Sequence, residues 1–237
     1  MKVLVTGCAG FIGFHLCKRL STENIIVHGL DNLNNYYDVQ LKKNRLNILK
    51  DLKNFNFQKL DLKNNSKLKQ ILKKNKYDIV VNLAAQAGVR YSITNPKEYF
   101  DSNIYGFYNL INNLKDLDVK HFLYASTSSV YGSCKKFPIK ENFNTDNPLS
   151  FYAASKKINE TMAYSYSNIH KIPVTGLRFF TVYGPYGRPD MSIFKFTDKI
   201  INNKEIDLYN RGNHYRDFTY IDDIIEAIYR LLNKSPK

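Results

Sequence analysis

The chain begins with a short apolar run that leads directly into a glycine-rich turn, and this pairing constrains the fold more than any other feature. Residues 2–6 are typical of a β-strand, and Gly7, Gly10 and Gly13 follow immediately before a helical pattern. A strand that turns through glycines into a helix offers unpaired backbone N–H groups to a pyrophosphate. An ordinary glycine-rich turn has the same local pattern, so the interpretation depends on the residues that follow.

A second apolar run, residues 25–30, ends at Asp31. This acid lies close to the ~20-residue distance expected of a carboxylate that hydrogen-bonds the ribose of a bound adenosine. A carboxylate there would repel a 2′-phosphate, and no arginine follows it closely. The pattern therefore favours NAD over NADP.

Three further strand-like runs occupy residues 55–60, 77–83 and 119–125, and helical stretches separate them. Strands that alternate with helices indicate a parallel sheet covered by helices on both faces. We therefore expect an α/β fold with a doubly wound parallel sheet of the Rossmann type.

Tyr152 and Lys156 are four residues apart, in a run from Phe151 to His170 that contains no proline or glycine. That spacing places a phenol and an ammonium on the same face of a helix. A nearby cation stabilises a phenolate, which makes tyrosine a better base at neutral pH. The spacing alone is common by chance, and a half-buried aromatic beside a solvated lysine would explain it equally well.

The formal net charge of +14 raises the question of nucleic-acid binding. The lysines between Lys63 and Lys76 recur without interleaved aromatic residues, a pattern typical of a solvated helix face. We therefore expect no nucleic-acid partner. Three cysteines without metal-ligand spacing predict no metal site and a reducing, cytoplasmic location. No signal peptide and no apolar run of ~18 residues is present, so we expect no membrane association.

Four longer segments carry a family resemblance: GLDNLNNYYD at 29–38, AAQAGVRYS at 84–92, LRFFTVYGPYGRPDM at 177–191 and RDFTYIDD at 216–223. With the glycine turn and the Tyr-Lys pair, they resemble the extended short-chain dehydrogenase/reductases, the NAD-dependent epimerase/dehydratase family. The resemblance is strongest to bacterial UDP-glucuronate 4-epimerases of surface-polysaccharide synthesis. It implies conversion of UDP-glucuronate to UDP-galacturonate through a 4-keto intermediate, and a possible homodimer.

The resemblance also implies site residues. Catalysis would use Tyr152 as the base, Lys156 to lower its pKa, and Thr127 to hydrogen-bond the reacting sugar oxygen. The NAD-binding residues would be Gly7, Gly10, Phe11, Ile12, Gly13, Asp31, Asn32, Asp61, Leu62, Ala84, Ala85, Gln86, Asn103, Tyr152 and Lys156. The UDP-sugar would contact Arg90, Ser128, Ser129, Thr181, Arg188 and Arg216.

Ser128 and Ser129 bear on the choice of reaction. Related 4,6-dehydratases have an acidic pair at these positions, and UDP-glucuronate decarboxylases have a glutamate two residues after the threonine. Serine is not a general acid, so dehydration is disfavoured and decarboxylation is less expected. UDP-glucose/UDP-galactose 4-epimerisation and decarboxylation remain alternatives.

The resemblance further implies a division into an NAD-binding domain, residues 1–180, and the beginning of a nucleotide-sugar-binding domain, residues 181–237. Family members continue beyond the position of Lys237, so the second domain is expected to be truncated. A truncated, non-catalytic NAD-binding protein is therefore the alternative from a different functional class.

Overall fold

A computed structural model describes residues 1–213 and 215–236. Its strands are β1 (Lys2–Thr6), β2 (Ile26–Asp31), β3 (Phe55–Lys59), β4 (Ile79–Asn82), β5 (His121–Thr127), β6 (Val174–Phe179), β7 (Thr181–Tyr183) and β8 (Phe218–Tyr220). Its helices are α1 (Phe11–Thr22), α2 (Val39–Lys50), α3 (Asn65–Lys74), α4 (Tyr91–Thr94), α5 (Pro96–Tyr99), α6 (Gly106–Leu114), α7 (Phe151–His170), α8 (Ser192–Ile201) and α9 (Ile221–Leu231). A π-helix, Phe100–Tyr105, joins α5 to α6.

Six strands form one parallel sheet in the order β3-β2-β1-β4-β5-β6. The chain order reverses direction between β1 and β4, and ligands of open α/β sheets bind at the carboxyl ends of the strands at such a point. The predicted doubly wound α/β fold is confirmed. The predicted strand positions agree with those observed to within about two residues at each end.

Both faces of the central strands β1 and β4 are buried, which explains why these strands are apolar without a polar alternation. Val3 and Val5 of β1 point to the face covered by α1, α2 and α9, whereas Leu4 points to the face covered by α3 and α6. This is the two-residue period of a strand. β1 therefore lies at the centre of two hydrophobic layers and holds the glycine turn in a fixed position.

Helix α7 has the predicted bounds. The Ser150 hydroxyl caps it by accepting a hydrogen bond from the Ala153 amide at 3.1 Å. The helix ends at His170, and the C-cap residue Lys171 has a left-handed backbone with φ 55°. Because the helix is continuous, Tyr152, Lys156 and Glu160 lie on neighbouring turns of one face.

The segment after residue 180 has two parts. β7 and β8 form a separate two-stranded parallel sheet, whereas α9 returns to pack against α1 with Ile225 and Ile228 in the main core. The carbonyl of Leu232 lies 3.3 Å from Nδ1 of buried His121 on β5. The division at residue 180 stays a prediction.

Helix α3 carries the lysine-rich stretch. Leu68, Ile71 and Leu72 are buried while the lysines of the helix are exposed, so the predicted solvated helix face is confirmed. None of the helices described in 1–213 and 215–236 combines the length and the apolar character that a membrane span requires.

Candidate functional site

A cleft opens at the carboxyl ends of β1, β2, β4 and β5. Of the predicted NAD-binding residues, every one except Asn103 lines it, and so do Thr127 and Arg188. The sequence separates these residues by up to about 180 positions, and the parallel sheet brings them to one edge. The structure thus assembles the predicted cofactor and catalytic residues in one place.

The glycine turn is built for close backbone contact. Gly7 has φ +73°, and a Cβ placed on it would lie 2.7 Å from the backbone nitrogen of Ala84. A Cβ on Gly13 would lie 2.1 Å from the carbonyl oxygen of Gly7. No side chain caps α1 at Gly10, and residues 10–13 at the start of the helix line the cleft, so the unpaired first-turn N–H groups are available to a ligand there. Such a helix start suits a pyrophosphate, so this part of the cleft fits NAD.

Asp31 is fixed at the end of β2. Its carboxylate accepts hydrogen bonds from the amides of Ala9, at 3.1 Å, and Leu33, at 2.8 Å. Burial raises the pKa of the Asp31 carboxyl, and these amides together with the cations of Lys42 and Arg45 oppose that rise. The carboxylate lines the cleft at the position expected for a ribose. The donor set is therefore appropriate for the adenosine half of NAD.

Asn32 and Asp61 contact each other beside this position, with the Asn32 amide donating to the Asp61 carboxylate at 3.1 Å. Lys42 also lines the cleft, and its Nζ donates to the carbonyl of Asn34 at 2.8 Å. Sequence reasoning missed Lys42 because an ordinary helical lysine gives no sign that it is buried.

Tyr152 and Thr127 meet at the inner end of the cleft. The surrounding protein desolvates the Tyr152 hydroxyl and raises its pKa, whereas the cation of Arg188 and a hydrogen bond with Thr127 oppose the rise. Lys156 is 3% exposed, and its Nζ donates to the carbonyl of Ala125 at 2.9 Å. Desolvation lowers the pKa of Lys156 to about 8. The Arg188 cation is thus one charge that opposes the rise in the pKa of Tyr152, and the predicted role of Lys156 stays a prediction.

Asn103 lies behind the cleft, in the π-helix. Its side chain accepts from the Gln86 amide at 2.7 Å and donates to the Gln86 carbonyl at 2.9 Å and the Ser155 hydroxyl at 3.0 Å. Asn159 donates to the Asn103 carbonyl at 2.6 Å. Asn103 therefore ties the loop after β4 to the helix that carries Tyr152, a supporting position rather than a lining one.

The predicted substrate residues divide into three groups. Arg188 lines the cleft, and its guanidinium pairs with the Asp190 carboxylate through two nitrogens. Ser129 accepts a hydrogen bond from the Thr127 hydroxyl at 3.2 Å. Ser128 directly follows β5, and Thr181 is the first residue of β7, but none of these three residues lines the cleft. Arg90 and Arg216 are exposed and also lie outside the lining.

Several residues that line the cleft were not predicted. They are Thr6, Leu30, Asn34, Tyr36, Tyr37, Lys42, Leu60, Leu83, Ala87, Ser102, Ala125, Ser126, Phe179, Phe180, Val182 and Met191. Some of them lie inside the segments 29–38 and 177–191 that carry the family resemblance, so the resemblance could have indicated that these residues line the cleft. Ser102 had no such signal.

The model of the NAD dependent epimerase/dehydratase family matches residues 3–237. The chain belongs to this family. Protein CapI of Staphylococcus aureus is 53% identical over 99% of this chain and 70% of its own length. A UDP-glucuronate 4-epimerase of Thermodesulfobacterium geofontis is 48% identical over 93% of this chain and 68% of its own length.

Among solved structures, the UDP-glucuronic acid 4-epimerase of Bacillus cereus in complex with UDP-glucuronic acid and NAD superposes with a TM-score of 0.93. It is 36% identical, and the match covers 98% of this chain and 73% of that one. The family model, the relatives named as UDP-glucuronate 4-epimerases and the solved complexes with NAD together confirm the predicted family, the NAD cofactor and the enzyme class, an isomerase.

Proposed function

We propose that this member of the NAD dependent epimerase/dehydratase family interconverts UDP-glucuronate and UDP-galacturonate by 4-epimerisation. The observation that supports the proposal is that Tyr152, Thr127 and Arg188 share one cleft with the glycine turn. A phenol, a neutral hydroxyl and a cation suit a sugar hydroxyl and a sugar carboxylate. Relatives whose names specify UDP-glucuronate, at 48% identity, support the choice of sugar.

Each residue then has a defined task. Tyr152 removes the proton from the sugar 4-hydroxyl, and Thr127 hydrogen-bonds the same oxygen. Arg188 opposes the burial-driven rise in the pKa of Tyr152 and thereby favours the phenolate, and the predicted role of Lys156 in lowering the same pKa remains part of the proposal. Bound NAD supplies a reversible hydride acceptor for carbon 4. The 4-keto sugar turns over in the cleft, so that the hydride would return to the opposite face of carbon 4 while Tyr152 returns the proton to the 4-oxygen.

The 4-keto form of a hexuronic acid has a chemical hazard. A carboxylate on carbon 5 beside a carbonyl on carbon 4 makes a β-keto acid, which loses carbon dioxide when the carboxylate bond aligns with the carbonyl π-system. We propose that Ser128, Ser129 and Thr181 hold the carboxylate out of that alignment, because neutral hydroxyls orient it without donating a full proton. Ser128 and Ser129 directly follow Thr127, and Thr181 begins β7 two residues after Phe179, which pairs with Thr127 in the sheet.

That proposal is tested with Thr181→Ala. Incubation with UDP-glucuronate should yield a larger share of the UDP-pentose by-product than the unmutated chain yields. An unchanged product ratio would rule out a role for Thr181 in holding the carboxylate.

The main test incubates the purified chain with UDP-glucuronate and NAD and resolves the products by NMR, beside a full-length relative as a rate reference. UDP-galacturonate should form, and Tyr152→Phe should abolish its formation. A second arm with UDP-glucose tests the alternative epimerase. Turnover of UDP-glucose without turnover of UDP-glucuronate would contradict the proposed substrate, and turnover of neither would favour the non-catalytic alternative.

The similarity to protein CapI agrees with a role in surface-polysaccharide synthesis, which we include in the proposal. The cytoplasmic location, the homodimer and the division at residue 180 remain proposals of the same kind.

A further inference from the structure

Arg45 of α2 is a fully buried cation outside the cleft lining. Its side chain is 0% exposed, and no carboxylate lies within ion-pair distance of it in the part of the chain that the structure describes. Burying a guanidinium away from water is costly unless hydrogen bonds replace its hydration. Its Nε has no hydrogen-bond partner, so the burial is not fully compensated. Such a group calls for an explanation beyond core packing.

The partners of Arg45 belong to two separate parts of the site. Nη1 donates to the carbonyl of Ala9, in the glycine turn, at 2.9 Å and to the hydroxyl of Tyr37 at 2.8 Å. Nη2 donates to the carbonyls of Tyr186 at 2.6 Å and Gly187 at 3.3 Å. A planar guanidinium with donors on both ends can span two segments in this way, whereas a lysine amine is a single point.

Each of the two segments that Arg45 joins is also connected to a functional side chain; this link through Arg45 is called the Arg45 bridge. The Ala9 amide also donates to the Asp31 carboxylate. The two hydrogen bonds of Ala9 therefore connect Asp31, through the amide, with Arg45, through the carbonyl. On the other side, Gly187 directly precedes Arg188, whose partner Asp190 accepts a hydrogen bond from Tyr36 at 3.1 Å. The segment between β2 and the middle of α2 thus contacts the Arg188 loop, residues 184–191, at two points.

We propose that Arg45 is a positioning residue that couples two events: when NAD binds at the glycine turn, Arg45 restricts the motion of the Arg188 loop. A nucleotide on Asp31 and the start of α1 restricts Ala9, and the Arg45 bridge then restricts the carbonyls of Tyr186 and Gly187. The loop is thereby ordered before a sugar nucleotide arrives. This inference rests on the NAD cofactor alone and not on the identity of the sugar.

Hydrogen exchange followed by mass spectrometry tests the proposal, with the full chain either freed of nucleotide or saturated with NAD. In the unmutated chain, NAD should slow exchange of the 184–191 amides by about fivefold or more, the lower end of typical couplings between sites. Arg45→Met should reduce that slowing to below about twofold, while the amides of the glycine turn remain protected by NAD. Lys43→Met, an exposed change on the same helix, should behave as the unmutated chain.

Arg45→Lys distinguishes the effect of the hydrogen bonds from that of the charge. Lysine keeps the positive charge, but its single amine can bond to only one of the two segments that Arg45 joins. In this variant NAD should no longer slow hydrogen exchange at 184–191, as in Arg45→Met. If circular dichroism shows that Arg45→Met does not fold, Arg45→Lys decides the test. Equal NAD-dependent slowing in the unmutated chain and the Arg45 variants would overturn the proposal, as would its absence in the unmutated chain. No sugar nucleotide enters the assay, so the result is independent of whether the proposed epimerisation is correct.

Discussion

Glu160 is the residue whose replacement we expect to be most informative about stability. It lies on α7 one turn beyond Lys156, and its carboxylate accepts hydrogen bonds from Arg178 Nε and Nη2, both at 2.8 Å, and from the Ser126 hydroxyl at 2.6 Å. Arg178 on β6 also donates to the Tyr131 hydroxyl at 3.0 Å. This ion pair therefore joins α7, β5 and β6 directly behind the catalytic residues.

The expected cost of Glu160→Gln follows from the burial of the pair. The side chains of Glu160 and Arg178 are 13% and 24% exposed. Removing one partner of a buried pair costs about 3–5 kcal/mol, and we take about 3 kcal/mol because Arg178 keeps some contact with water. In a chain of this size each kcal/mol lowers Tm by about 2–4 °C, so the variant should melt about 6–12 °C lower.

The pH dependence gives a second signature. Burial alone would raise the pKa of Glu160, but the hydrogen bonds from Arg178 and Ser126 and the Arg178 charge outweigh it and hold the pKa below its ordinary value. The stabilisation is therefore complete above the unfolded pKa of 4.5 and is lost as the pH falls through the lower, folded pKa. The difference in Tm between the variant and the unmutated chain should shrink in that acidic range.

Thermal and urea unfolding of Glu160→Gln at pH 7 provide the measurement, with Glu98→Gln, an exposed acid on α5, as the matched control. The control should change the free energy of unfolding by less than about 0.5 kcal/mol. Glu160→Gln combined with Arg178→Met should cost less than the two single changes added together, because no unpaired charge is then left buried. A cost below about 1 kcal/mol for Glu160→Gln, or strict additivity of the pair, would refute the reasoning.

Three further predictions concern the cofactor cleft. Gly13→Ala should abolish NAD binding in calorimetry, because the added methyl group would lie 2.1 Å from the Gly7 carbonyl; binding within tenfold of the unmutated chain would contradict this. Asp31→Ala should weaken NAD more than NADP, because it removes the carboxylate that repels a 2′-phosphate; an unchanged ratio of the two dissociation constants would show that Asp31 does not discriminate. Lys156 titrates at about 8 when folded and at 10.5 when unfolded, so the unfolded chain binds more protons between these values and the free energy of unfolding should rise with pH there. Lys156→Met should remove that rise. It should also increase the free energy of unfolding at pH 7 by about 2 kcal/mol, because the cost of burying the charged amine disappears while the hydrogen bond to Ala125 is lost. A variant that is less stable at pH 7 would contradict this.

The parts of the site that follow from local chemistry could be predicted from the sequence. Gly7 and Gly13 stand where a side chain would collide with backbone, and Asp31 stands at the end of an apolar strand, so each leaves a local pattern. Tyr152 and Lys156 share a helix face by spacing alone. In such cases the immediate neighbours in the sequence determine the position of the side chain.

Other contacts depend on distant segments and leave no local signal. Arg45 has the sequence context of any amphipathic helix, and only the approach of residues 186 and 187 reveals that it is buried. The direction of Lys156 toward the Ala125 carbonyl depends on how closely α7 packs on β5. The place of Asn103 depends on a π-helix, whose extra residue per turn shifts the register in a way that apolar periodicity does not show.

The packing of α9 against α1 has a consequence for the synthesis of the protein. Ile225 and Ile228 cover the outer face of the helix that follows the glycine turn, and Arg19 stacks over the Tyr229 ring. About 200 residues separate α1 from α9, so a ribosome working at about 5–20 residues per second finishes α9 about 10–40 s after α1. During that interval the apolar face of α1 that α9 later covers lacks this partner, so the core around the glycine turn is completed only after α9 has been synthesised.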